Sequence, residues 1–245
     1  PVGDGDCDDK PNPETPEIEF INIKVPSYSI PMGSLIPEKV DNFLVSDKNI
    51  SVSNIVNGTT RLQPVVLGIG QAAGAIAATA IKEEKSTSVV SIRQVQQALL
   101  ASKAYIMPYI DIAPDDEAFG AIQRMGATGV LKGYGVPYKW ANETWFYPER
   151  IVPEYELKNG LLPLYPKLNN EHASGQGVTP KFLVGLLGKI DKKITLENIK
   201  AVWDSAEIET PFSPSTQLDR RTVCILMDKL LNPFAIMVDF NGNFK

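Results

Sequence analysis

The sequence predicts an α+β protein in which a small unit of short strands and helices precedes a mainly α-helical domain built from two repeats. Three observations predict this order: β-branched residues alternate near the start, a long run of small apolar residues follows Pro64, and two similar turn-and-helix segments occupy the second half. We place the boundary after Lys103, giving parts 1–103 and 104–245, because aromatic residues and prolines become frequent there. The 245 residues are enough for one large or two smaller cores.

The strands are predicted from short β-branched segments in the first part. Residues 20–25 alternate between apolar and polar side chains, and residues 27–30 form an extended piece between two prolines. Residues 43–45 and 50–52 are two further short candidates. Residues 1–19 are acidic and rich in proline, which is typical of a solvated segment.

The long helix is predicted from Pro64 to about Glu84, where charged residues return. Proline suits a first helical turn, since the N–H that it lacks would have no partner there. Gly70, Gly74 and Ala78 fall on one face, and glycine inside a helix costs about 1 kcal/mol relative to alanine, so this face needs a packing reason. The spacing alone leaves three readings: a membrane span, a buried helix against a sheet, or a helix beside a flat ligand. A second, amphipathic helix is predicted after Ser91, which is a candidate N-cap.

A set of short motifs carries a resemblance over residues 20–85. The chain resembles the C-terminal end of a bacterial FAD-dependent oxidoreductase family, whose members are often labelled putative xanthan lyases. The motifs are Tyr28-Ser-Ile-Pro-Met-Gly-Ser-Leu-Ile-Pro37, Val40-Asp-Asn-Phe-Leu-Val45, Ile50-Ser51, Asn57-Gly58, Arg61, Pro64 and Gly70-Gln-Ala-Ala-Gly74. The resemblance implies that Arg61, Leu62 and Gln63 lie nearest the flavin of FAD, and that Gly70 and Gly74 are packing residues beside it.

The chain departs from that family's pattern at several positions. Ser46-Asp47-Lys48 replaces small residues and an arginine, and Asn54 stands where many relatives carry a histidine. No G-x-G-x-x-G follows a strand, so the pyrophosphate-binding half of such an enzyme is not present. We therefore expect the complete protein to bind FAD, and this chain alone to be inactive and not to retain it. Its long helix should expose apolar surface that meets the missing dinucleotide-binding part or a second copy in a homodimer.

The internal repeat is predicted in two copies, about 109–168 and 178–236. Phe146-Tyr-Pro148 and Phe212-Ser-Pro214 each shape a loop before a helix, and Asp219 is a candidate N-cap with Thr222 three residues on. Tyr109-Ile-Asp111, a helix over 118–125 and a glycine-flanked turn precede the first loop.

That order resembles the S-layer homology repeat of bacterial surface proteins. The family's binding signature is Thr-Arg-Ala-Glu at the start of the second helix, whereas the two copies here read Pro153-Glu-Tyr-Glu156 and Asp219-Arg-Arg-Thr222. The resemblance therefore implies the helical scaffold rather than wall anchoring, with Arg220 as the one arginine kept for an anionic polymer.

The aromatic residues around the first repeat loop have two readings. Tyr134, Tyr138, Trp140, Trp145 and Tyr147 either form the core of the repeat or stack on sugar rings of a polysaccharide. On the second reading, the candidate glycan-binding residues are Trp140, Trp145, Tyr147 and Arg220.

Charge and composition exclude several function classes. The net charge of −5 and the pI near 5.1 argue against nucleic acid as a partner. A single histidine, His172, in a polar loop and an acidic start without the full calcium-loop spacing predict no metal site. Cys7 and Cys224 are predicted to be free thiols.

Three functions stay open: the flavin-closing end of an FAD-dependent oxidoreductase, a non-catalytic carbohydrate or cell-surface interaction module, and a polysaccharide lyase. The lyase needs a base beside an anion-neutralising group, and the sequence offers no such constellation. No catalytic residue is predicted, and the sequence leaves open both the substrate and the compartment, periplasmic and extracellular included.

Overall fold

The computed structural model describes residues 27–138 and 141–245. In this part of the chain it has eight α-helices and one pair of antiparallel strands, so the predicted α+β class is confirmed. The predicted strand over 20–25, the acidic segment 1–19, Cys7 and Trp140 lie outside the described residues. The elements are α1 Asn54–Thr60, α2 Gln63–Glu83, α3 Ile92–Ala101, α4 Phe119–Thr128, β1 Tyr134–Tyr138, β2 Ala141–Trp145, α5 Glu154–Leu161, α6 Pro180–Leu187, α7 Leu196–Ser205 and α8 Arg220–Leu230.

The first part of the chain is built on α2. This helix has Pro64 in its first turn and ends at Glu83, followed by Glu84 in a left-handed conformation with φ of 52°, as the proline and the return of charge predict. α3 packs against it, and the hydroxyl oxygen of Ser91 accepts a hydrogen bond from the N–H of Gln94 at 3.3 Å, which confirms the predicted N-cap. Ile69 and Ile76 of α2 and Val95 of α3 are buried in one small apolar cluster.

The two short strands predicted at 43–45 and 50–52 are wrong. These residues form irregular backbone around a short 3-10 turn at Asp47–Asn49. Each segment makes an isolated backbone contact with the preceding loop, through the N–H of Val45 to Leu35 at 2.9 Å and the N–H of Ser51 to Ser34 at 2.8 Å. β-branched composition makes a strand only where a neighbouring strand offers a ladder, and no such neighbour exists among the described residues.

The second part has a larger apolar core. Phe146 and Tyr109 lie in it together with inward residues of all five helices α4 to α8. Arg124 of α4 and Asp228 of α8 form an ion pair at 2.6 Å across the packed helices. The helix predicted over 118–125 is α4, whereas no strand was predicted for the stretch that forms the β1–β2 hairpin.

Three equivalent segments meet in a closed ring of backbone hydrogen bonds, where the sequence predicts two copies. The N–H of Val152 donates to Leu218 at 3.0 Å, that of Leu218 to Val178 at 2.8 Å, and that of Val178 to Val152 at 2.8 Å. Helices α5, α6 and α8 each begin two residues after a member of this ring. The ring holds the N-terminal ends of these three helices together.

The C-terminal segment joins the two parts. Arg93 of α3 is 5% exposed, lies over the ring of Phe234 at 4.5 Å, and donates from Nε to the carbonyl oxygen of Ile236 at 3.1 Å. At the end of the chain, Val238 and Phe244 form a single antiparallel bridge around Gly242, which has φ of 82°. Asn241 and Gly242 thus form a turn closed by one bridge.

Candidate functional site

The junction of α1 and α2 places the residues that the flavin resemblance singles out. Arg61 follows the last residue of α1, Leu62 is the N-cap of α2, and Gln63 is its first residue. All three are exposed, and Arg61 forms no ion pair with any described residue. The sequence therefore brings one guanidinium to the start of the longest helix.

The first turn of α2 has unpaired backbone donors. Leu62 gives no side-chain cap, and the first hydrogen bond of the helix runs from the N–H of Val66 to the carbonyl of Leu62 at 2.9 Å. Among the described residues, the N–H groups of Gln63 and Val65 have no acceptor, while Pro64 carries no N–H. Free N–H groups and the helix dipole make this end electropositive, and Arg61 adds a full charge beside it.

The other seven helices of the described chain differ from α2 in this respect. Each has at least one first-turn N–H bonded to a capping side chain or to a carbonyl outside the helix. The acceptors are Ser53 for α1, Ser91 for α3, Asp116 for α4, Gln176 for α5, Thr179 for α6, Thr195 for α7 and Asp219 for α8. The unused donors of α2 are thus a particular feature of this junction.

Two side-chain oxygens at the end of α1 lack partners as well. Thr60 is 2% exposed and its Oγ1 makes no hydrogen bond, and the Oδ1 of Asn57 is likewise buried and unpaired. A buried polar atom without a partner costs about 1–3 kcal/mol, so each of these oxygens needs a polar partner other than the described residues. Nearby, the hydroxyl groups of Tyr28 and Thr59 hydrogen bond to each other.

One face of α2 is uncovered along most of its length. Leu67 is 73% exposed and Ile81 is 79% exposed, and Gly70, Gly74 and Ala78 lie between them on the same face, also exposed. We call these five residues the α2 stripe. A Cβ built at Gly74 meets no atom within 4 Å, and one built at Gly70 meets only the Oγ of Ser46 at 3.9 Å.

By length and composition α2 could cross a membrane, and it is the one helix of the described residues for which this holds. Only 28% of its apolar window is buried, so most of this apolar surface is uncovered by the residues that the structure describes. The same described residues contain no group of three or more His, Cys, Asp or Glu side chains that could hold a metal ion.

The loop between the two rejected strands lies against the middle of α2. Asp47 has φ of 60°, a left-handed conformation that is uncommon for residues other than glycine. Ser46, next to it, approaches Gly70. Asn54, at the histidine position of the resembled family, is the exposed first residue of α1.

The candidate glycan-binding residues occupy different environments. Tyr147 is 39% exposed, and Trp145 is partly buried and stacks on it with ring centroids 5.8 Å apart. Arg220 is fully buried, where it pairs with Glu156 and lies 4.3 Å from the ring centroid of Phe146. Its guanidinium is therefore part of the core and is not presented to a polymer.

The sequence placed Asp111 and Asn57 in motifs without predicting their roles, and it gave no sign of Thr60. Asp111 accepts hydrogen bonds from the N–H groups of Phe146 and Tyr147, at 2.8 Å and 2.7 Å, and so fixes the loop that carries the aromatic residues. The Tyr-x-Asp pattern at the start of the repeat was the sequence feature that marked Asp111. Thr60 and Asn57 gave no comparable signal, because a missing hydrogen-bond partner is visible only once the fold is known.

Comparison with known proteins finds one relationship. Residues 2–99 match a family model described as FAD dependent oxidoreductase. No curated protein and no solved structure gave a match to the chain. The matched range is less than half of the chain, contains α1, α2 and most of α3, and ends before α4. This range is thus similar to part of a flavin-dependent oxidoreductase, and the match does not extend to the repeat region.

Proposed function

We propose that the first part of the chain closes the flavin site of an FAD-dependent oxidoreductase. The observation that supports this most directly is the α1–α2 junction within the matched range, where N–H groups, an arginine and two buried oxygens lie together without partners among the described residues. The O2 and N1 side of a flavin ring is electron-rich, so the electropositive end of α2 fits it. When bound, FAD supplies hydride or electron transfer with a substrate.

Each residue of the junction has a separate part in this proposal. Arg61 would place its charge beside the electron-rich edge of the flavin, and the N–H groups of Gln63 and Val65 would donate hydrogen bonds to it. The side-chain oxygens of Asn57 and Thr60, which have no partner among the described residues, would form hydrogen bonds with polar groups of the ligand or of the rest of the protein. Leu62, which is 49% exposed, would exclude water from the ring.

The α2 stripe fits the packing face of such a domain. Its central residues have little or no side chain, so a neighbouring backbone or sheet can approach closely, and Leu67 and Ile81 offer apolar side chains at its two ends. We propose that the dinucleotide-binding part of the same protein covers this stripe. That part would also hold the pyrophosphate of FAD, for which the chain lacks a glycine-rich loop.

A flavin titration tests this function. We expect a longer version of the protein, which includes a dinucleotide-binding segment, to bind FAD with quenching of flavin fluorescence, and this chain alone not to bind. In the longer protein, Arg61→Met should weaken FAD binding by about tenfold or more, since a charge-assisted hydrogen bond contributes about 1.5–3 kcal/mol.

Lys82→Met is the matched control, because Lys82 is an exposed cation at the opposite end of the same helix. It should leave the affinity for FAD unchanged. A longer protein without flavin binding, or equal effects of the two substitutions, would contradict the proposal.

A further inference from the structure

Three aromatic side chains form a row on one face of the β1–β2 hairpin and the residues after it. Tyr134 of β1 and Trp145 of β2 are direct partners in the strand register, so their side chains project from the same face. Tyr147 follows Trp145 by two residues and projects the same way, with its ring 5.8 Å from that of Trp145 and 5.7 Å from that of Tyr134. We call these three residues the aromatic row.

The aromatic row lies outside the apolar core of the second part. Phe146, between Trp145 and Tyr147, is fully buried and belongs to that core, whereas no member of the row does. The alternation therefore separates one inward ring from two outward ones. The sequence alone left open whether these rings are core or surface; the structure exposes Tyr147 and leaves Tyr134 and Trp145 partly buried beside it.

The outward position of Tyr147 is held at a cost in backbone energy. Its φ of 56° lies in the left-handed region, which is unfavourable for a residue with a bulky side chain. The carboxylate of Asp111 holds this conformation by accepting from the N–H groups of both Tyr147, at 2.7 Å, and Phe146, at 2.8 Å. These bonds and the left-handed backbone fix the position of Tyr147, which is 39% exposed.

Polar groups lie beside the aromatic row and over one of its rings. The guanidinium of Arg150 lies 4.8 Å from the ring centroid of Tyr134, and the Nε1 of Trp145 donates to Glu143 at 2.9 Å. Glu149 has a side chain that is 77% exposed. Ring faces flanked by hydrogen-bonding groups match a sugar, whose C–H faces stack on aromatic rings while its hydroxyl groups bind carboxylates and guanidinium groups.

Charge narrows the class of saccharide. Glu143, Glu149 and Glu156 lie on or beside the row, and the protein has a net charge of −5. Glu149 pairs with Arg221, and Glu156 pairs with the buried Arg220. The exposed guanidinium of Arg150 lies over the ring of Tyr134, so the charges beside the row nearly balance and give no net attraction to phosphates or uronates. We propose that the aromatic row binds an uncharged saccharide chain, with Tyr147 as the principal stacking residue. This activity is independent of the flavin site.

Affinity electrophoresis of the full chain tests the proposal. The probes are three uncharged polysaccharides, hydroxyethylcellulose, galactomannan and soluble starch, with carboxymethylcellulose as the anionic counterpart. We expect at least one uncharged probe to retard the protein more than carboxymethylcellulose does. Tyr147→Asn, which keeps a residue that tolerates the left-handed conformation, should weaken that retardation about tenfold, and Trp145→Leu should act in the same direction.

Tyr155→Asn is the matched control, since Tyr155 is 48% exposed on α5 and is not part of the row. It should bind as the unchanged protein does, and circular dichroism should show that all three variants stay folded. Failure of every uncharged probe to retard the protein overturns the proposal, as does equal weakening by Tyr155→Asn. Binding of a polyproline peptide that depends on Tyr147, without binding of any saccharide, would instead identify the row as a peptide site.

Discussion

Replacing Gly74 with alanine tests whether the α2 stripe is uncovered in this chain. Gly74 lies in the middle of α2, and a Cβ built there meets no atom within 4 Å. Alanine in a helix interior is more favourable than glycine by about 1 kcal/mol, and nothing in the structure opposes the added methyl group. We therefore expect the free energy of unfolding to rise by about 1 kcal/mol and the melting temperature by roughly 2–4 °C.

Gly126→Ala is the control for this measurement. Gly126 is also inside a helix, but a Cβ there would lie 2.9 Å from the Cγ of Met107 and would overlap the hydroxyl group of Tyr109. The same gain in helix propensity is then outweighed by overpacking, which costs about 1–3 kcal/mol, so this variant should be less stable. Urea unfolding followed by far-UV circular dichroism compares the two variants directly.

The result that would refute the reasoning is a loss of stability in Gly74→Ala. It would mean that another surface already lies against Gly74 in solution, and a dependence of the loss on protein concentration would identify that surface as a second copy. In a longer protein with its dinucleotide-binding part, the proposed packing predicts the opposite sign, with lower stability and less bound flavin. A gain of stability there would show that the stripe is not a packing face.

Four further predictions concern the second part of the chain, each measured by urea unfolding. Asp111→Ala should lower the free energy of unfolding by about 2 kcal/mol, because two backbone N–H groups lose a charged acceptor. Glu156→Gln should lower it by about 3 kcal/mol, since the buried guanidinium of Arg220 loses its carboxylate, and Arg220→Met should cost less. Gly160→Ala should lower it by at least about 1 kcal/mol, because its Cβ would overlap the carbonyl of Val130. Burial raises the pKa of the Cys224 thiol, so only the unfolded thiol ionises as pH rises above its ordinary pKa; stability should fall there, and Cys224→Val should remove that part of the slope.

The sequence was sufficient to predict the features that depend on local chemistry. Pro64 and the charges after Ile81 mark the two ends of α2, and Ser91 and Asp219 are the N-caps that their side chains predict. In each case the deciding interaction joins residues a few positions apart, so one stretch of sequence contains both partners.

Features that depend on distant partners could not be predicted in the same way. The closed ring joins Val152, Val178 and Leu218, and its third member escaped notice because the segment before Val178 has neither the phenylalanine nor the proline of the other two loops. The strands predicted at 43–45 and 50–52 are wrong for a related reason: β-branched composition alone predicts a strand, whereas a strand also needs a neighbouring strand to pair with. Arg220 is buried where it pairs with Glu156, and the two residues are 64 positions apart in the sequence, so this pairing could not be predicted from one stretch of sequence.

The ring also bears on where the chain can bind a ligand. Next to the ring, neighbouring backbone bonds use the first-turn N–H groups of α5, α6 and α8, from Glu154 to Gln176 at 2.9 Å, from Lys181 to Pro214 at 3.0 Å and from Arg220 to Arg150 at 2.9 Å. Helix N-termini are ready sites for electron-rich groups only while their donors are free, so these three are unsuited to that role. The uncapped start of α2 keeps its donors and has an unpaired arginine beside it. The same accounting of backbone donors therefore supports a proposed saccharide site made of side chains on the aromatic row and a proposed flavin contact made by the backbone of α2.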